Sequence, residues 1–176
     1  MNEQPGKTLF SKEEIEEKLN EMAAAIDEDY EGRTISFIPI LRGSFVFSAD
    51  LIRRIHCPCE VDFLAVSSFE GTSSTGQVQL KKDLDGSIES KHVIILEDIV
   101  DTGLTLKYLC HMLLARNPAS LRVATLLDRT DRRACRVDVD YRGFQIEDEF
   151  VVGYGLDLNQ KYRNLPEIRA LEITKR

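Results

Sequence analysis

The sequence feature that most constrains the fold is a series of short apolar runs that alternate with segments of helical periodicity. Five such runs cover residues 34–41, 60–67, 93–100, 121–127 and 150–154. A strand that is apolar at nearly every position must be covered on both faces, which is typical of parallel sheets in α/β proteins. Two shorter strands are predicted, one at a sheet edge over residues 77–82 and a last one over residues 171–174.

Three segments between these runs have the signature of helices. Ser11 and Glu14 form a capping box, after which apolar residues recur at helical spacing to about Asp29. The second and third helices are predicted at residues 44–55 and 104–116. Residues 128–149 are interpreted as a charged loop. The alternation predicts an α/β fold, a parallel sheet flanked by helices on both faces, in one domain over residues 1–176.

Composition and charge exclude several classes of protein. Hydrophobic residues make up 43% of the chain and charged residues 30%, which is typical of a globular protein and excludes a disordered one. The net charge of −7 provides no basic footprint for nucleic acid, so no nucleic-acid partner is expected. No membrane span is expected, because the longest nearly uncharged apolar stretch is far shorter than the roughly 20 residues required. The four cysteines lack zinc-ligand spacing and are expected to be reduced thiols of a cytoplasmic protein.

Two adjacent carboxylates stand near the end of one predicted strand, in the segment HVIILEDIVDTGLTLKYL. They are Glu97 and Asp98, and ligands of parallel sheets bind at the carboxyl ends of the strands. Acidic side chains beside a buried strand are costly unless a cation or hydrogen-bond donors meet them. We therefore expect these two residues to meet a divalent cation or a pair of sugar hydroxyls.

The turn after this strand opens a helix and begins with Asp101, Thr102 and Gly103. Its free backbone amides and the helix dipole suit a phosphate monoester, and the hydroxyls of Thr102 and Thr105 add donors. The alternative is that Asp101 only caps the helix and that the carboxylates before it are solvated. The complete run of apolar strand, acidic pair, two apolar residues and DTGxT turn is more specific than Asp-Thr-Gly alone, and it favours a ligand site.

This stretch is similar to the phosphoribosyl-pyrophosphate signature of type I phosphoribosyltransferases. Further landmarks, in the right order and spacing from about Ile35 to Ile168, resemble hypoxanthine-guanine phosphoribosyltransferases of the bacterial type. They are LRGSFVFSADLI, SSFEGTSSTGQV, TLLDRTDRR and FVVGYGLDLNQKYRNLP. The resemblance implies the type I phosphoribosyltransferase fold, with a core over about residues 30–155 and a small hood formed by the chain ends.

The resemblance also implies a reaction, the displacement of magnesium pyrophosphate from phosphoribosyl pyrophosphate by a purine nitrogen. Mg²⁺ is the implied cofactor, because it neutralises and orients the leaving group. Glu97 and Asp98 match the positions that hold the ribose hydroxyls and their metal. Asp101 matches the position that takes the proton from purine N7, a reasonable role for a carboxylate within hydrogen-bond reach. The segment with Thr102, Gly103 and Thr105 matches the cradle of the 5′-phosphate.

Four more residues match the pyrophosphate side of the family's site. Arg42 and Gly43 correspond to the pyrophosphate loop, and by family precedent the peptide before Arg42 is cis. Arg163 corresponds to a second pyrophosphate contact, and Asp157 to a carboxylate at a second metal site near the base. For Arg42 the plain alternative is an ordinary surface arginine.

On the base side, Phe150 matches the aromatic ring that stacks on the purine, and the Val151 backbone matches the group that reads its Watson–Crick edge. The pattern alone favours two core residues of a strand. Arg129 stands where the family usually has a lysine for the purine 6-oxygen, and it too can donate to a carbonyl oxygen. The alternative for Arg129 is a surface ion pair beside Asp128 and Asp131.

A mobile lid is implied at the polar, glycine-bounded loop that begins with Ser68 and Phe69, where the family usually has Ser-Tyr. The expected function is transfer of a phosphoribosyl group to hypoxanthine or guanine in purine salvage. One alternative is a xanthine-preferring enzyme, and another is a nucleotide-sensing regulator that binds nucleic acid on the same fold. The net charge of −7 argues against the regulator. The family suggests a homodimer or a homotetramer.

Overall fold

The computed structural model describes residues 2–68 and 78–174. The helices are α1 (Lys12–Asp29), α2 (Phe45–Ile52) and α3 (Leu104–Leu114). The strands are β1 (Asn2–Phe10), β2 (Ile35–Leu41), β3 (Cys59–Val61), β4 (Leu64–Ser68), β5 (Val78–Lys82), β6 (His92–Val100), β7 (Ser120–Arg129), β8 (Tyr141–Ile146), β9 (Val151–Val152) and β10 (Ile168–Thr174). No helix among these residues is long and apolar enough to span a bilayer.

The larger sheet has the order β5-β4-β2-β6-β7-β8, with β3 paired to the amino-terminal part of β2. All its pairings are parallel except that of β5, which runs antiparallel to β4 at one edge. The carboxyl ends of β2, β4, β6 and β7 therefore meet at one edge of the sheet, which is where ligands bind in open α/β sheets. The α/β class and the parallel sheet predicted from the sequence are confirmed.

The two faces of the sheet carry separate apolar cores, because neighbouring side chains on a strand point to opposite faces. On β2, Ile35 and Phe37 pack with α1 and α2, whereas Ile38 and Ile40 pack with α3. Strand β6 alternates in the same way. Helices thus cover both faces, and this explains why the strands are apolar at nearly every position.

Helix α1 begins as predicted. The Ser11 backbone N–H donates to Glu14 Oε2 at 2.7 Å, and the Glu14 N–H donates to Ser11 Oγ at 3.2 Å. The buried stripe of α1 is Ile15, Leu19, Met22, Ala23 and Ile26. The capping box therefore fixes the start of the helix, and the apolar stripe fixes the face that meets the sheet.

The chain ends form a second, three-stranded antiparallel sheet of order β1-β10-β9. The predicted strand at residues 150–154 is wrong as a strand of the main sheet. Only Val151 and Val152 are in a strand, and they pair with Ala170 and Arg169 of β10. Gly153 and Tyr154 both have positive φ, which bends the chain out of the extended conformation.

The prediction of a charged loop over residues 128–149 is also wrong in part, because β8 lies within it. This strand pairs in parallel with β7, with Ala124 opposite Tyr141 and Leu127 opposite Phe144. It is an edge strand with mixed polar and apolar residues, so its sequence lacks the continuous apolar run of a central strand. The single strand predicted over residues 60–67 is divided into β3 and β4, which pair with different parts of β2.

Candidate active site

A tight turn joins β6 to α3 and forms the wall of a small cavity of about 110 Å³. Gly103 has φ of +80°, a conformation that favours glycine. A side-chain carbon at Gly103 would also lie 3.0–3.1 Å from Val137 and Arg133, which pack against the turn. The lining consists of Glu97, Ile99, Val100, Asp101, Thr102, Gly103, Thr105 and Leu106. The DTGxT residues that were predicted to form an anion site therefore line one cavity, and this cavity lies at the N-terminus of α3.

Glu97 and Asp98 point to different cavities, because they are neighbours on a strand. Glu97 faces the cavity of the DTG turn, and Asp98 faces a larger cavity of about 580 Å³. Burial raises the pKa of Glu97 well above its usual range, and the nearby Asp98 raises it further. Burial also raises the pKa of Asp98 to about 6. In the described part of the chain no cationic side chain lies within 4.0 Å of either carboxylate.

The larger cavity lies at the carboxyl end of β2, beside the turn that contains Arg42 and Gly43. The peptide between Leu41 and Arg42 is cis, as the family resemblance implies. Gly43 lies so close to Asp98 that a side-chain carbon at position 43 would collide with Asp98 Oδ2. The complete lining is Leu41, Arg42, Gly43, Ala65, Val66, Ser67, Lys81, Asp98, Asp157, Gln160 and Arg163.

The opposite wall of the larger cavity comes from the segment after β9. Arg163 forms an ion pair with Asp157 at 2.5 Å, and its Nη1 donates to the Gly155 carbonyl oxygen at 2.7 Å. Gln160 Oε1 accepts hydrogen bonds from Arg42 at 2.9 Å and from Arg163 at 3.3 Å. The structure thus brings Arg42 together with Asp157 and Arg163, which lie more than a hundred residues further along the sequence.

Arg129 is buried and joins the loop before β9 to the DTG turn. Its Nη1 lies 3.3 Å from Asp101 Oδ2, and its Nε donates to the Glu147 carbonyl oxygen at 3.1 Å. A further hydrogen bond runs from Nη2 to the carbonyl oxygen of Glu149. The Arg129 side chain is 7% exposed, so the alternative of a surface ion pair with Asp128 or Asp131 is wrong. Asp128 is fully buried and pairs instead with Arg133 and Arg142.

Phe150 and Val151 follow directly after the carbonyl groups that hold Arg129. Phe150 is 56% exposed, which is unusual for a large aromatic residue, whereas Val151 is buried. The interpretation of Phe150 as a core residue is therefore wrong, and that of Val151 as a core residue is right. An exposed aromatic ring can stack on a planar ligand.

Two predicted site residues are only partly described or lie outside the described residues. Ser68 ends β4, and only its backbone is described. Phe69 and the rest of the predicted lid, to Gly76, lie outside the described residues. Sequence reasoning missed Gln160 and Lys81, which line the larger cavity. Lys81 stands at an irregularity in the β4–β5 pairing, where Ala65 and Val66 face Lys82 and Leu80, and no sequence signal distinguishes it from other surface lysines.

The carboxylates of the larger cavity have the chemistry that a magnesium ion requires. Asp98 and Asp157 supply oxygen ligands, which hard cations prefer, and they are close enough for Asp157 to raise the pKa of Asp98. No group of three or more His, Cys, Asp and Glu side chains converges within the described ranges. Mg²⁺ usually binds through one or two carboxylates together with substrate phosphates, so this set fits the ion.

Comparison with known proteins shows which enzymes this chain resembles. The family model described as the phosphoribosyl transferase domain matches residues 6–159. A curated hypoxanthine-guanine phosphoribosyltransferase of Staphylococcus epidermidis is 50% identical over 165 residues, which cover 93% of this chain and 92% of that protein. Its Staphylococcus aureus counterpart is 47% identical over the same shares of the two chains.

A similar solved structure is that of a hypoxanthine-guanine phosphoribosyltransferase of Bacillus anthracis, with a HEPES molecule in its active site. It superimposes with a TM-score of 0.92 at 46% identity and covers 98% of this chain and 100% of that one. The hypoxanthine phosphoribosyltransferase of Staphylococcus aureus gives the same TM-score and covers 96% of this chain and 92% of that one. The similarity therefore extends over nearly the whole chain, including the smaller sheet of β1, β10 and β9.

Proposed function

The chain belongs to the phosphoribosyltransferase family, and from this premise we infer that it transfers the 5-phosphoribosyl group from phosphoribosyl pyrophosphate to a 6-oxopurine. The products are a purine nucleoside monophosphate and pyrophosphate, and the reaction serves purine salvage. The observation that carries this inference is the pairing of Arg129 with Asp101 beside the DTG turn. A guanidinium and a carboxylate so close together complement the 6-oxygen and the N7–H of one purine edge.

On the base side, we propose that Asp101 accepts the proton from purine N7 while N9 bonds to the sugar. The Oδ1 atom of Asp101 is buried and has no hydrogen-bond partner among the described residues, so this carboxylate retains a free acceptor. Phe150 stacks on the purine, and the Val151 backbone pairs with its Watson–Crick edge. Asp101 thus supplies general base catalysis within hydrogen-bond reach of the leaving proton.

On the sugar side, we propose that Thr102, Gly103 and Thr105 bind the 5′-phosphate. The positive φ of Gly103 and the start of α3 aim backbone amides at a single small cavity. Glu97 faces the same cavity, where a carboxylate accepts hydrogen bonds from ribose hydroxyls. These contacts hold the sugar in place while its anomeric carbon develops positive charge in an oxocarbenium-like transition state.

On the pyrophosphate side, we propose that Arg42, Gly43 and Arg163 bind the leaving group. Asp98 and Asp157 would hold the Mg²⁺ that accompanies the leaving group. Glu97 would contribute to the same metal site indirectly, by holding the ribose hydroxyls. When bound, the ion neutralises negative charge on the pyrophosphate and orients it for departure. Arg42 and Arg163 come from two different segments of the chain and both line this cavity, so both can donate hydrogen bonds to the pyrophosphate.

The preference for a 6-oxopurine follows from the donor character of Arg129. Hypoxanthine, guanine and xanthine carry an acceptor at position 6, whereas adenine carries an amino donor. When a site is built to donate hydrogen bonds to an acceptor, a substrate without that acceptor leaves the donors unpaired. The kcat/KM for such a substrate is often lower by orders of magnitude. We propose hypoxanthine and guanine as the substrates, and a preference for xanthine is the second candidate because Arg129 suits any 6-oxo group.

The experiment that tests this function is a turnover assay with the purified protein, phosphoribosyl pyrophosphate and each of four bases. We expect nucleotide formation with hypoxanthine and guanine, little with xanthine, none with adenine, and none when EDTA removes Mg²⁺. Turnover confined to xanthine would favour the second candidate. An inactive, folded protein that shifts RNA or DNA in a salt-dependent manner would instead support the regulator.

Self-association and location are also proposals. We propose a homodimer or homotetramer in the cytoplasm, and several large apolar side chains on the surface support self-association. They include Phe45, Val61, Leu104, Tyr108 and Leu114. Sedimentation equilibrium of the purified protein measures the oligomeric state, and a monomer at micromolar concentration would contradict this proposal.

A further inference from the structure

Gln160 connects two arginines that belong to different segments of the larger cavity. Its Oε1 atom accepts one hydrogen bond from Arg42 Nη1 at 2.9 Å and another from Arg163 Nη2 at 3.3 Å. Arg42 follows β2, whereas Gln160 and Arg163 follow β9. A single oxygen atom therefore fixes the spacing between two cations that would otherwise repel each other.

The backbone of Gln160 is also anchored, which limits where its side chain can lie. Its N–H donates to Asp157 Oδ2 at 2.8 Å, and the same carboxylate pairs with Arg163 through Oδ1 at 2.5 Å. Gln160 has φ of +66°, and Asn159 before it has φ of +51°, so two consecutive residues take the left-handed conformation. The turn, the carboxylate and the two guanidinium groups form one closed hydrogen-bonded network.

The two arginines depend on Gln160 to different degrees. Arg163 has further partners in Asp157 and the Gly155 carbonyl oxygen. The Arg42 guanidinium is exposed, and its one hydrogen bond within the described residues goes to Gln160. A free arginine side chain has four rotatable bonds to order when it binds a phosphate, which weakens binding.

The side chain of Gln160 is also uncharged. An amide oxygen holds both guanidinium groups without cancelling their charge, whereas a carboxylate would neutralise one of them. Within the described residues Arg42 has no carboxylate partner, so its positive charge stays available for an anion while its position is fixed. Pre-organisation of this kind reduces the ordering cost of binding.

We propose that Gln160 is a positioning residue that sets Arg42 and Arg163 for the pyrophosphate group. The proposal rests on the proposed function, because it assigns this cavity to the leaving group. Gln160 touches neither the reacting carbon nor the base, so its effect falls on binding of the pyrophosphate moiety. The affinity for the purine base depends on the other side of the site and is unaffected.

The test compares Gln160→Met, which keeps the side-chain length and removes the accepting oxygen, with Gln160→Glu, which keeps an accepting oxygen. Lys161→Met is the matched control, an exposed neighbour in the same turn that does not line the cavity. The measurements are the Kd of inorganic pyrophosphate with Mg²⁺, obtained by calorimetry, and the KM values for phosphoribosyl pyrophosphate and hypoxanthine. Circular dichroism verifies that each variant is folded.

We expect Gln160→Met to weaken pyrophosphate binding and to raise the KM for phosphoribosyl pyrophosphate by about tenfold, the effect of one to two lost hydrogen bonds to charged groups. The KM for hypoxanthine should stay within twofold of the wild-type value. Gln160→Glu should bind pyrophosphate better than Gln160→Met, and Lys161→Met should match the wild type. Unchanged or tighter pyrophosphate binding in Gln160→Met, or equal loss in all three variants, would overturn the proposal.

The calorimetric measurement separates this inference from the proposed function. If the wild-type protein binds pyrophosphate but transfers no phosphoribosyl group to any base, the proposed function fails and the Gln160 comparison still decides the inference. If transfer occurs and Gln160→Met behaves as wild type, the inference alone fails.

Discussion

Nη1 of Arg129 lies 3.3 Å from Oδ2 of Asp101; Arg129 is the last residue of β7, and Asp101 directly follows β6 at the same edge of the main sheet. Arg129 is held on its other side by the Glu147 and Glu149 carbonyl oxygens, so the guanidinium group is fixed before any ligand arrives. The pair presents a proton acceptor and a proton donor side by side. In the proposed function this relationship would link proton transfer at N7 to recognition of the 6-oxygen, and it motivates the first two predictions.

Asp101→Asn should lower kcat by on the order of 10²-fold or more, because the amide cannot accept the N7 proton as a carboxylate does. The change is nearly isosteric, so the melting temperature should stay close to that of the wild type. Steady-state kinetics with hypoxanthine measures the effect. Wild-type turnover by the folded variant would show that Asp101 is not the base.

Arg129→Ala should raise the KM for hypoxanthine and guanine and reduce the discrimination against adenine, because the donor for the 6-oxygen is lost. Arg129→Lys should retain more of that discrimination, since an ammonium group also donates. The measurement is kcat/KM for the three bases in each variant.

Arg132→Ala is the control for Arg129→Ala, because Arg132 pairs with Asp148 in an exposed ion pair. Such a pair contributes at most about 1 kcal/mol and does not face the cavities. If the ratio of oxopurine to adenine activity is the same in the wild type and in Arg129→Ala, then Arg129 does not contact the 6-oxygen.

The double substitution of Glu97→Gln and Asp98→Asn should raise the KM for phosphoribosyl pyrophosphate far more than the KM for the base. Glu97 lines the cavity of the DTG turn and Asp98 lines the larger cavity, and the ion pair that Arg129 forms with Asp101 involves neither carboxylate. Initial-rate kinetics with each substrate varied in turn measures the two constants. Equal increases for both substrates would indicate a general structural role.

The same double variant should also change the pH dependence of stability in the metal-free protein. Burial raises the pKa of Asp98 from its usual 3.8 to about 6, so the folded state binds more protons than the unfolded state between these values. The free energy of unfolding of the wild type therefore falls as the pH rises through this window, and Glu97 extends the effect to higher pH. The variant lacks both groups and should lose less stability over the same range.

Urea denaturation in EDTA at pH 4.5 and pH 7.5 measures this difference. We expect the free energy of unfolding of the variant to rise relative to that of the wild type as the pH increases, because the variant no longer carries buried charges. A difference in unfolding free energy that does not vary with pH would show that the two carboxyls ionise in the folded state as they do in the unfolded chain.

Gly43→Ala should impair binding of phosphoribosyl pyrophosphate, because the added carbon would collide with Asp98 Oδ2 and displace the pyrophosphate loop. Since a displacement of about 1 Å can cost as much as 10²-fold in rate, we expect kcat/KM for this substrate to fall by on the order of tenfold or more. The control is Gly86→Ala, where a side-chain carbon has nothing within 4 Å. Similar kinetics for the two variants would contradict this reading of the loop.

Local patterns in the sequence determined most of the main sheet and the central part of the site. The capping box of Ser11 and Glu14 and the strand that carries Glu97 and Asp98 occupy the predicted places. Capping and apolar periodicity act between residues a few positions apart, so they can be read without knowledge of the fold. The DTGxT turn was predictable for the same reason, because strand, turn and helix follow one another directly.

The tertiary structure alone decided where the remaining elements pair and which side chains meet. The apolar run at residues 150–154 joins the hood through β10, and β8 joins the main sheet although its sequence is mixed. The ion pair between Arg129 and Asp101 and the bridge from Gln160 to Arg42 connect residues that are distant in sequence. Edge pairing and side-chain contacts of this kind depend on packing between distant segments, so no periodic pattern in the sequence predicts them.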